Sequence, residues 1–299
     1  GAFATPAGAD PIAPPVPTND GDLIGQVERY ICRHEDTLPA LAVRFGVGFD
    51  ELAAANPGVD AWLPGEGTEL RLPTMHILPP TSRKGLVINL PEMRVFYYPA
   101  DGGAVESYPI GIGRAGWQTP TGETTIVRKQ ANPTWYPPDS IRQEKPFLPA
   151  AVGPGPDNPL GRYALYFGWP AYLMHGTNKP QGVGRRVSHG CIRMYAPHIK
   201  RLFTTVPLGT QVAALQEPVK VGWHRQELYM EAHPMPAGND ALEAGKPLPE
   251  LDWRELGDAV ARARAAAGDE ADRLDVALIY RTARERRGIP VRIMSRTDT

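Results

Sequence analysis

His175-Gly176-Thr177, ten intervening residues, then Ser188-His189-Gly190-Cys191-Ile192-Arg193-Met194 is the stretch on which the reading of this 299-residue chain turns. A cysteine nucleophile needs its thiolate, and a nearby imidazole, backbone N–H groups and positive charge all favour that form. His175, His189, Arg186 and Arg193 fall within this one short segment, so Cys191 is the candidate nucleophile. Gly190 before it removes side-chain bulk and permits unusual backbone angles. A substrate carbonyl can then approach the sulfur while the N–H groups around Gly190 and Cys191 face the developing oxyanion. His175 ends the apolar run 170–174, read as a strand, which gives a general base a rigid mounting. A neighbouring backbone carbonyl such as that of Gly176 suffices to orient its ring. Arg193, two residues after the sulfur, is placed to grip a substrate carboxylate. His189 stays open between second base, substrate donor and turn-stabilising residue. Two other readings stand beside catalysis: an inert packed cysteine, and a zinc site of His175, His189 and Cys191 with no obvious fourth ligand.

Outward from this stretch the pattern is β-rich. Alternating runs at 86–90, 94–98, 106–110 and 124–127 read as strands, with turns at Asp101-Gly102-Gly103 and Pro120-Thr121-Gly122. Residues 131–161 are crowded with proline and too long for a simple connection, as binding loops and lids are; Trp135 and Tyr136 sit in them. Further strands are expected at 163–167, 171–174 and 211–215, with a short helix from about Pro197 through Ile199, Leu202 and Phe203. These residues form one β-dominated domain, 84–216. Upstream, residues 28–75 read as a strand, two short helices and a strand, with Asp36 and Thr37 as cap candidates and Asn56-Pro57-Gly58 as a breaker. Residues 1–27, poor in large apolar side chains, read as a flexible tether. Downstream, 217–299 reads as a mixed α/β extension: two strands, a polar break at 233–247, helices at 252–267 and 270–287, and a closing strand. The apolar faces of those helices need a partner, and the catalytic domain is the expected one.

The composition narrows the function classes. Lys and Arg number 32 against 33 Asp and Glu, a formal net charge of −1, so a strongly basic nucleic-acid protein is not indicated. Hydrophobic residues at 42% and charged residues at 22% exclude disorder through self-repulsion. With 31 Gly and 33 Pro, loops and strands are favoured over a helical bundle. No apolar run approaches the ~20 residues needed to cross a bilayer. Two cysteines, Cys32 and Cys191, make no disulfide framework.

The segment His175-Gly176-Thr177 followed by Ser188 through Met194 resembles the active-site signature of the L,D-transpeptidase catalytic domain, the YkuD domain. Blocks at Gly111–Gly122, Asn132–Trp135 and Asn158–Gly161 resemble that family's blocks in the same order. Residues 28–75 resemble a LysM module, with Glu35 where that module usually has glycine, and the pairing resembles periplasmic ErfK-type enzymes. The resemblance implies a mainly β fold with some α: a β-sandwich-like catalytic domain, a small βααβ LysM domain and a mixed α/β extension. It implies a transpeptidase with Cys191 as nucleophile, His175 as base, the Gly176 carbonyl as orienter and His189 beside them. Ser188, Gly190, Arg193, Trp135, Tyr136 and Thr177 are then expected to touch substrate; some members carry Asn where Arg193 stands. The implied partners are peptidoglycan stem peptides and glycan, with a second stem or a wall-anchored lipoprotein supplying the acceptor amine. The resemblance implies no metal and no organic cofactor; the implied location is the periplasm, with a signal peptide already removed, and carbapenems are the implied acylating inhibitors. Two alternatives remain: a hydrolase of the same architecture, and a glycan-binding protein with an inactive second domain.

Overall fold

The structure is a computed structural model and describes residues 21–296. Most of the tether expected over 1–27 lies outside the described residues, but its end is not a tether. Strand β1 (Leu23–Gly25) pairs antiparallel with a strand at Met75–Ile77, and Leu23 and Ile24 are buried. Ile24 packs with Val87, Phe96 and Tyr98 of the central domain. Two adjacent branched residues suffice to seat a short strand, and a Pro- and Gly-rich average over the whole segment hides them.

The strand, two helices and strand expected over 28–75 are present as β2 (Glu28–Ile31), α1 (Leu38–Phe45), α2 (Phe49–Ala55) and β3 (Glu69–Leu72), followed by β4 (Met75–Ile77). Thr37 caps α1 by accepting the Ala40 N–H at 3.3 Å, and Gly46 ends it in the left-handed conformation. The Asn56 side chain bonds the Leu52 carbonyl and both backbone groups of Arg71, tying the end of α2 to β3. Cys32 is buried among Leu38, Leu41, Leu52 and Leu70, as a packed apolar residue.

The central domain runs through β5 (Gly85–Asn89), β6 (Arg94–Tyr98), β7 (Glu106–Pro109), β8 (Ile112–Gly113), β9 (Gly122–Ala131), α3 (Asp139–Glu144), β10 (Tyr163–Phe167), β11 (Leu173–His175), β12 (Arg186–Ser188), β13 (Ile192–Arg193), α4 (Ala196–Thr205) and β14 (Gln211–Leu215). The expected sandwich is replaced by one eight-stranded mixed sheet in the order β13-β11-β10-β9-β14-β5-β6-β7. It curls until its ends meet: Gly111, just after β7, exchanges hydrogen bonds of 2.8 and 3.0 Å with Arg193 of β13. Side chains from both ends, Val95 and Tyr108 with Met174 and Ile192, therefore share one core, which α4 completes with Ile199 and Leu202. Alternation along strands reports a buried face but not whether a second sheet or the sheet's own curl covers it.

The tail forms an antiparallel sheet of β15 (Val219–His224), β16 (Glu227–Ala232) and a last strand at Val291–Ser295, interrupted by α5 (Pro236–Glu243), α6 (Trp253–Ala267) and α7 (Val276–Glu285) before β17 (Val291–Ser295) closes it. The apolar faces of α6 and α7 are satisfied by this sheet, with Ala259, Ala263 and Ile279 packed on Leu228 and Met230. The expected partnership of those helices with the catalytic domain is thus corrected. Of the tail's helices it is α5 that meets that domain, in a segment read as a polar break; Pro236 at its first turn starts it. The helix expected from 270 begins at Val276, because Asp275 caps it by accepting the Leu278 N–H at 3.0 Å. Among the described residues no helix is long and apolar enough to cross a membrane.

Candidate active site

Strands β11 and β13 lie side by side in parallel, with Met174 opposite Ile192 and His175 opposite Arg193. One residue further back, this register places Cys191 beside Leu173, whose backbone N–H hydrogen-bonds the sulfur. Because alternate residues share a face, Leu173, His175, Cys191 and Arg193 belong to one side of the pair. The two halves of the motif, ten residues apart in sequence, are joined by two neighbouring strands.

His175 is buried, and its Nδ1 is hydrogen-bonded to the Gly176 carbonyl oxygen. A carbonyl only accepts, so Nδ1 carries the ring proton and Nε2 presents a lone pair. Burial, reinforced by the positive charge of Arg193, lowers the His175 pKa to about 4, against the opposing pull of the Gly176 carbonyl. The ring is neutral at physiological pH. Cys191 is half-buried, its Sγ lying 3.5 Å from the Ala171 carbonyl oxygen. Burial raises its pKa, opposed by the Leu173 N–H and by Arg193. The ionised sulfur anticipated from the sequence is therefore not the favoured resting form: burial favours a neutral thiol, on the same face of the strand pair as a neutral imidazole. Arg193 is half-buried, and burial lowers its own pKa. Among the described residues no carboxylate lies within ion-pair distance of its guanidinium.

The turn carrying Cys191 is fixed from inside. The Ser188 hydroxyl donates to the Cys191 carbonyl at 2.6 Å and accepts the Gly190 N–H at 3.2 Å. Ser188 is 2% exposed, so its expected contact with substrate is corrected: it holds the turn. The Gly190 amide is occupied as well, whereas the Cys191 N–H has no hydrogen-bond partner among the described residues. Gly190 adopts φ +108°, and a Cβ there would stand 2.9 Å from Tyr172 Cε1. Thr119 secures the far side, donating to the Gly190 carbonyl at 2.8 Å.

His189 faces a different set of groups. Its Nε2 is 3.1 Å from Glu144 of α3 and 3.3 Å from Arg114, and its ring packs edge-on against Trp117 at 4.6 Å. Arg114 contacts both Glu144 oxygens, at 2.9 and 3.0 Å. Among its three open readings this one favours turn stabilisation, with the ring latching the Pro-rich segment to the motif. His175, His189 and Cys191 do not converge as metal ligands; the ligand atoms that do converge among the described residues belong to His76, Glu92 and Glu231.

The long segment 131–161 is an ordered wall. Trp135 and Val152 pair across it, and the buried Asn158 side chain bonds the carbonyls of Pro133, Val152 and Gly153. Trp135 packs with Cys191, Leu160 and Leu173. Tyr136 is 70% exposed and outside that cluster. Thr177 accepts the Lys179 N–H at 2.9 Å, closing the turn after His175. Gly176 and Thr177 line a cavity of about 980 Å³ beside α4.

The L,D-transpeptidase catalytic domain family, YkuD, matches residues 83–221. The chain is 43% identical over 241 residues to the Escherichia coli protein called probable L,D-transpeptidase ErfK/SrfK, covering 78% of this chain and 74% of that one. The chain belongs to the L,D-transpeptidase family. Identity to the E. coli probable L,D-transpeptidase YbiS is 44% over 234 residues, 75% of this chain and 76% of that one. The Bacillus subtilis putative L,D-transpeptidase YkuD is 30% identical over 191 residues, 61% of this chain and 96% of that one. As an L,D-transpeptidase the chain is an enzyme, and its matched region holds both halves of the motif.

Several parts of this transpeptidase site escaped the sequence reading. Glu144, Arg114 and Trp117 reach His189 from distant segments, and the Leu173 N–H and Ala171 carbonyl meet the sulfur through backbone atoms. Backbone groups leave no trace in side-chain identity. Asn158-Pro159 in a turn-rich segment was the one available signal for the buried knot at Asn158.

Proposed function

We propose that this enzyme transfers the acyl group of a peptidoglycan stem peptide through a thioester on Cys191. The observation that carries the reading is a neutral imidazole, fixed through Nδ1 by the Gly176 carbonyl, on the same face of the β11–β13 pair as a half-exposed thiol and an unpaired guanidinium. The sulfur attacks the carbonyl carbon between the diamino acid at position three and the terminal D-alanine of a tetrapeptide stem. The thiol proton passes to His175 Nε2 as the C–S bond forms. The Cys191 N–H faces the developing oxyanion, the role first given jointly to Gly190, whose amide is held by Ser188. The C–N bond then breaks, His175 returns the proton to the departing D-alanine amine, and a thioester remains. An acceptor amine gives its proton to the same Nε2, attacks the thioester and releases the thiolate, which takes the proton back.

Arg193 holds a substrate carboxylate, and Trp135 keeps water from the thioester. The acceptor is the side-chain amine of a second stem, giving a three-to-three cross-link, or the C-terminal lysine of a lipoprotein. Such a substrate lies outside the cytoplasm, which supports a periplasmic location. The strand, two helices and strand at 28–72 support the LysM-like reading of that region, with glycan as its ligand.

Incubating tetrapeptide-bearing muropeptide with wild type and Cys191→Ala, then weighing the products, tests the reading. A dimeric muropeptide from wild type alone is expected. A shortened stem without dimer means hydrolysis, and no wild-type product overturns the catalytic reading.

A further inference from the structure

The segment leading into the Cys191 turn is gripped from both sides by parts of the chain outside the matched family region. From the N-terminal side, α2 meets it backbone to backbone. The Asp50 N–H donates to the Gly184 carbonyl at 3.1 Å and the Phe49 N–H to that of Val183 at 3.5 Å. A Cβ on Gly48 would lie 2.8 Å from Gly184 Cα, and one on Gly184, at φ +75°, would overlap Gly48, so only two glycines allow this approach. The Arg185 guanidinium stacks on the Phe49 ring at 3.9 Å. From the tail, α5 holds the next residue: Arg186 pairs with Asp240 at 2.6 Å, donates to the Pro236 carbonyl at 2.9 Å, and offers its backbone N–H to Glu243 at 3.4 Å.

Between the two helices stands an unusual pair. Asp50 is 1% exposed, and neither of its carboxyl oxygens meets an N–H or hydroxyl donor among the described residues. The carboxyl that faces it is that of Glu243. Two ionised carboxylates only accept, so this contact requires a proton between them. The surrounding charges are Arg185 and Arg186 on the gripped segment and Asp240 on α5. On α2, Glu51 is engaged by Arg94 of β6 at 2.6 Å.

We propose that the Asp50–Glu243 carboxyl pair is a positioning device: its shared proton clamps α2 and α5 onto residues 183–188 and so sets where Cys191 stands. The proposal rests on Cys191 being the nucleophile. Burial raises the pKa of both acids, Asp50 well above the ordinary carboxylate range. A group whose folded-state pKa is raised keeps its proton at low pH, so the clamp is whole there and fails as pH rises through the pair's titration. An amide at position 50 supplies a permanent donor in the same shape.

The test measures, on the full chain from mildly acidic to alkaline pH, the rate of acylation by a carbapenem and hydrogen-exchange protection of residues 183–191, for wild type, Asp50→Asn and Glu243→Gln. Exchange is compared at matched pH, so intrinsic rates cancel. Wild type is expected to lose protection and about tenfold in acylation toward alkaline pH, while both amide variants keep protection and rate. Wild-type protection that follows the variants at every pH overturns the clamp, and protection that responds while acylation does not overturns the positioning role. No wild-type adduct at any pH refutes Cys191 as nucleophile, and the exchange data still decide the clamp.

Discussion

A buried imidazole with a pKa of about 4 is a base that stays ready over the whole physiological range. An unperturbed histidine, at about 6.5, would be partly protonated in mildly acidic surroundings. The lowered value means that below about pH 4 Nε2 is occupied and cannot take the thiol proton, while above it the base is free. Acylation of Cys191 is therefore expected to hold its rate from pH 7 down to about 5 and to fall as pH drops through about 4. A pH–rate profile of carbapenem adduct formation checks this, and an acid limb near 6.5 would mean an exposed, ordinary ring. The sequence displayed the histidine, the cysteine and the arginine, but not their protonation states. Burial and the Gly176 carbonyl set those, and both depend on the strand pairing rather than on neighbouring letters.

At the level of elements, the turn from Ser188 to Cys191 shows what the sequence reveals and what it hides. The motif singled out the four residues of this turn, and the strands around them fall where alternation places them, from β5 and β6 to β10 and β14. It did not reveal that the Ser188 hydroxyl is consumed in tying Gly190 to Cys191. Ser188→Ala leaves a buried N–H and a buried carbonyl without that partner, a loss of about 1–3 kcal/mol. Denaturant unfolding of Ser188→Ala should show a lower midpoint, together with slower acylation because the Cys191 amide is no longer fixed. An unchanged midpoint and rate would show that the hydroxyl does not hold the turn. Helix α5 went unread for a different reason: its eight residues, with Pro, Gly, Asn and Asp among them, carry weak propensity and are stabilised by contacts with α2 and β12.

Over the whole molecule, a buried ionic cluster joins the three parts of the chain. The Lys220 ammonium of β15 lies 2.8 Å from Glu92 and 2.9 Å from Glu231, and hydrogen-bonds the Ile77 carbonyl of β4. His233 adds a contact of 2.5 Å to Glu231. The lysine and both carboxylates are almost wholly buried, so removing the single ammonium strands two acids in the interior. Lys220→Met is expected to destabilise by about 3–5 kcal/mol, read as a lower thermal midpoint with the N-terminal region, catalytic domain and tail unfolding together. A variant as stable as wild type would show the joint to be dispensable. All of this architecture presents one sulfur to one ring, and the most direct measurement is the intact mass of the enzyme after exposure to a carbapenem at pH 7, with the adduct mapped by peptide. The account predicts a single adduct on Cys191, absent in Cys191→Ala and formed about 10²–10⁴-fold more slowly in His175→Gln. An adduct on any other residue, or His175→Gln acylating at the wild-type rate, would contradict it.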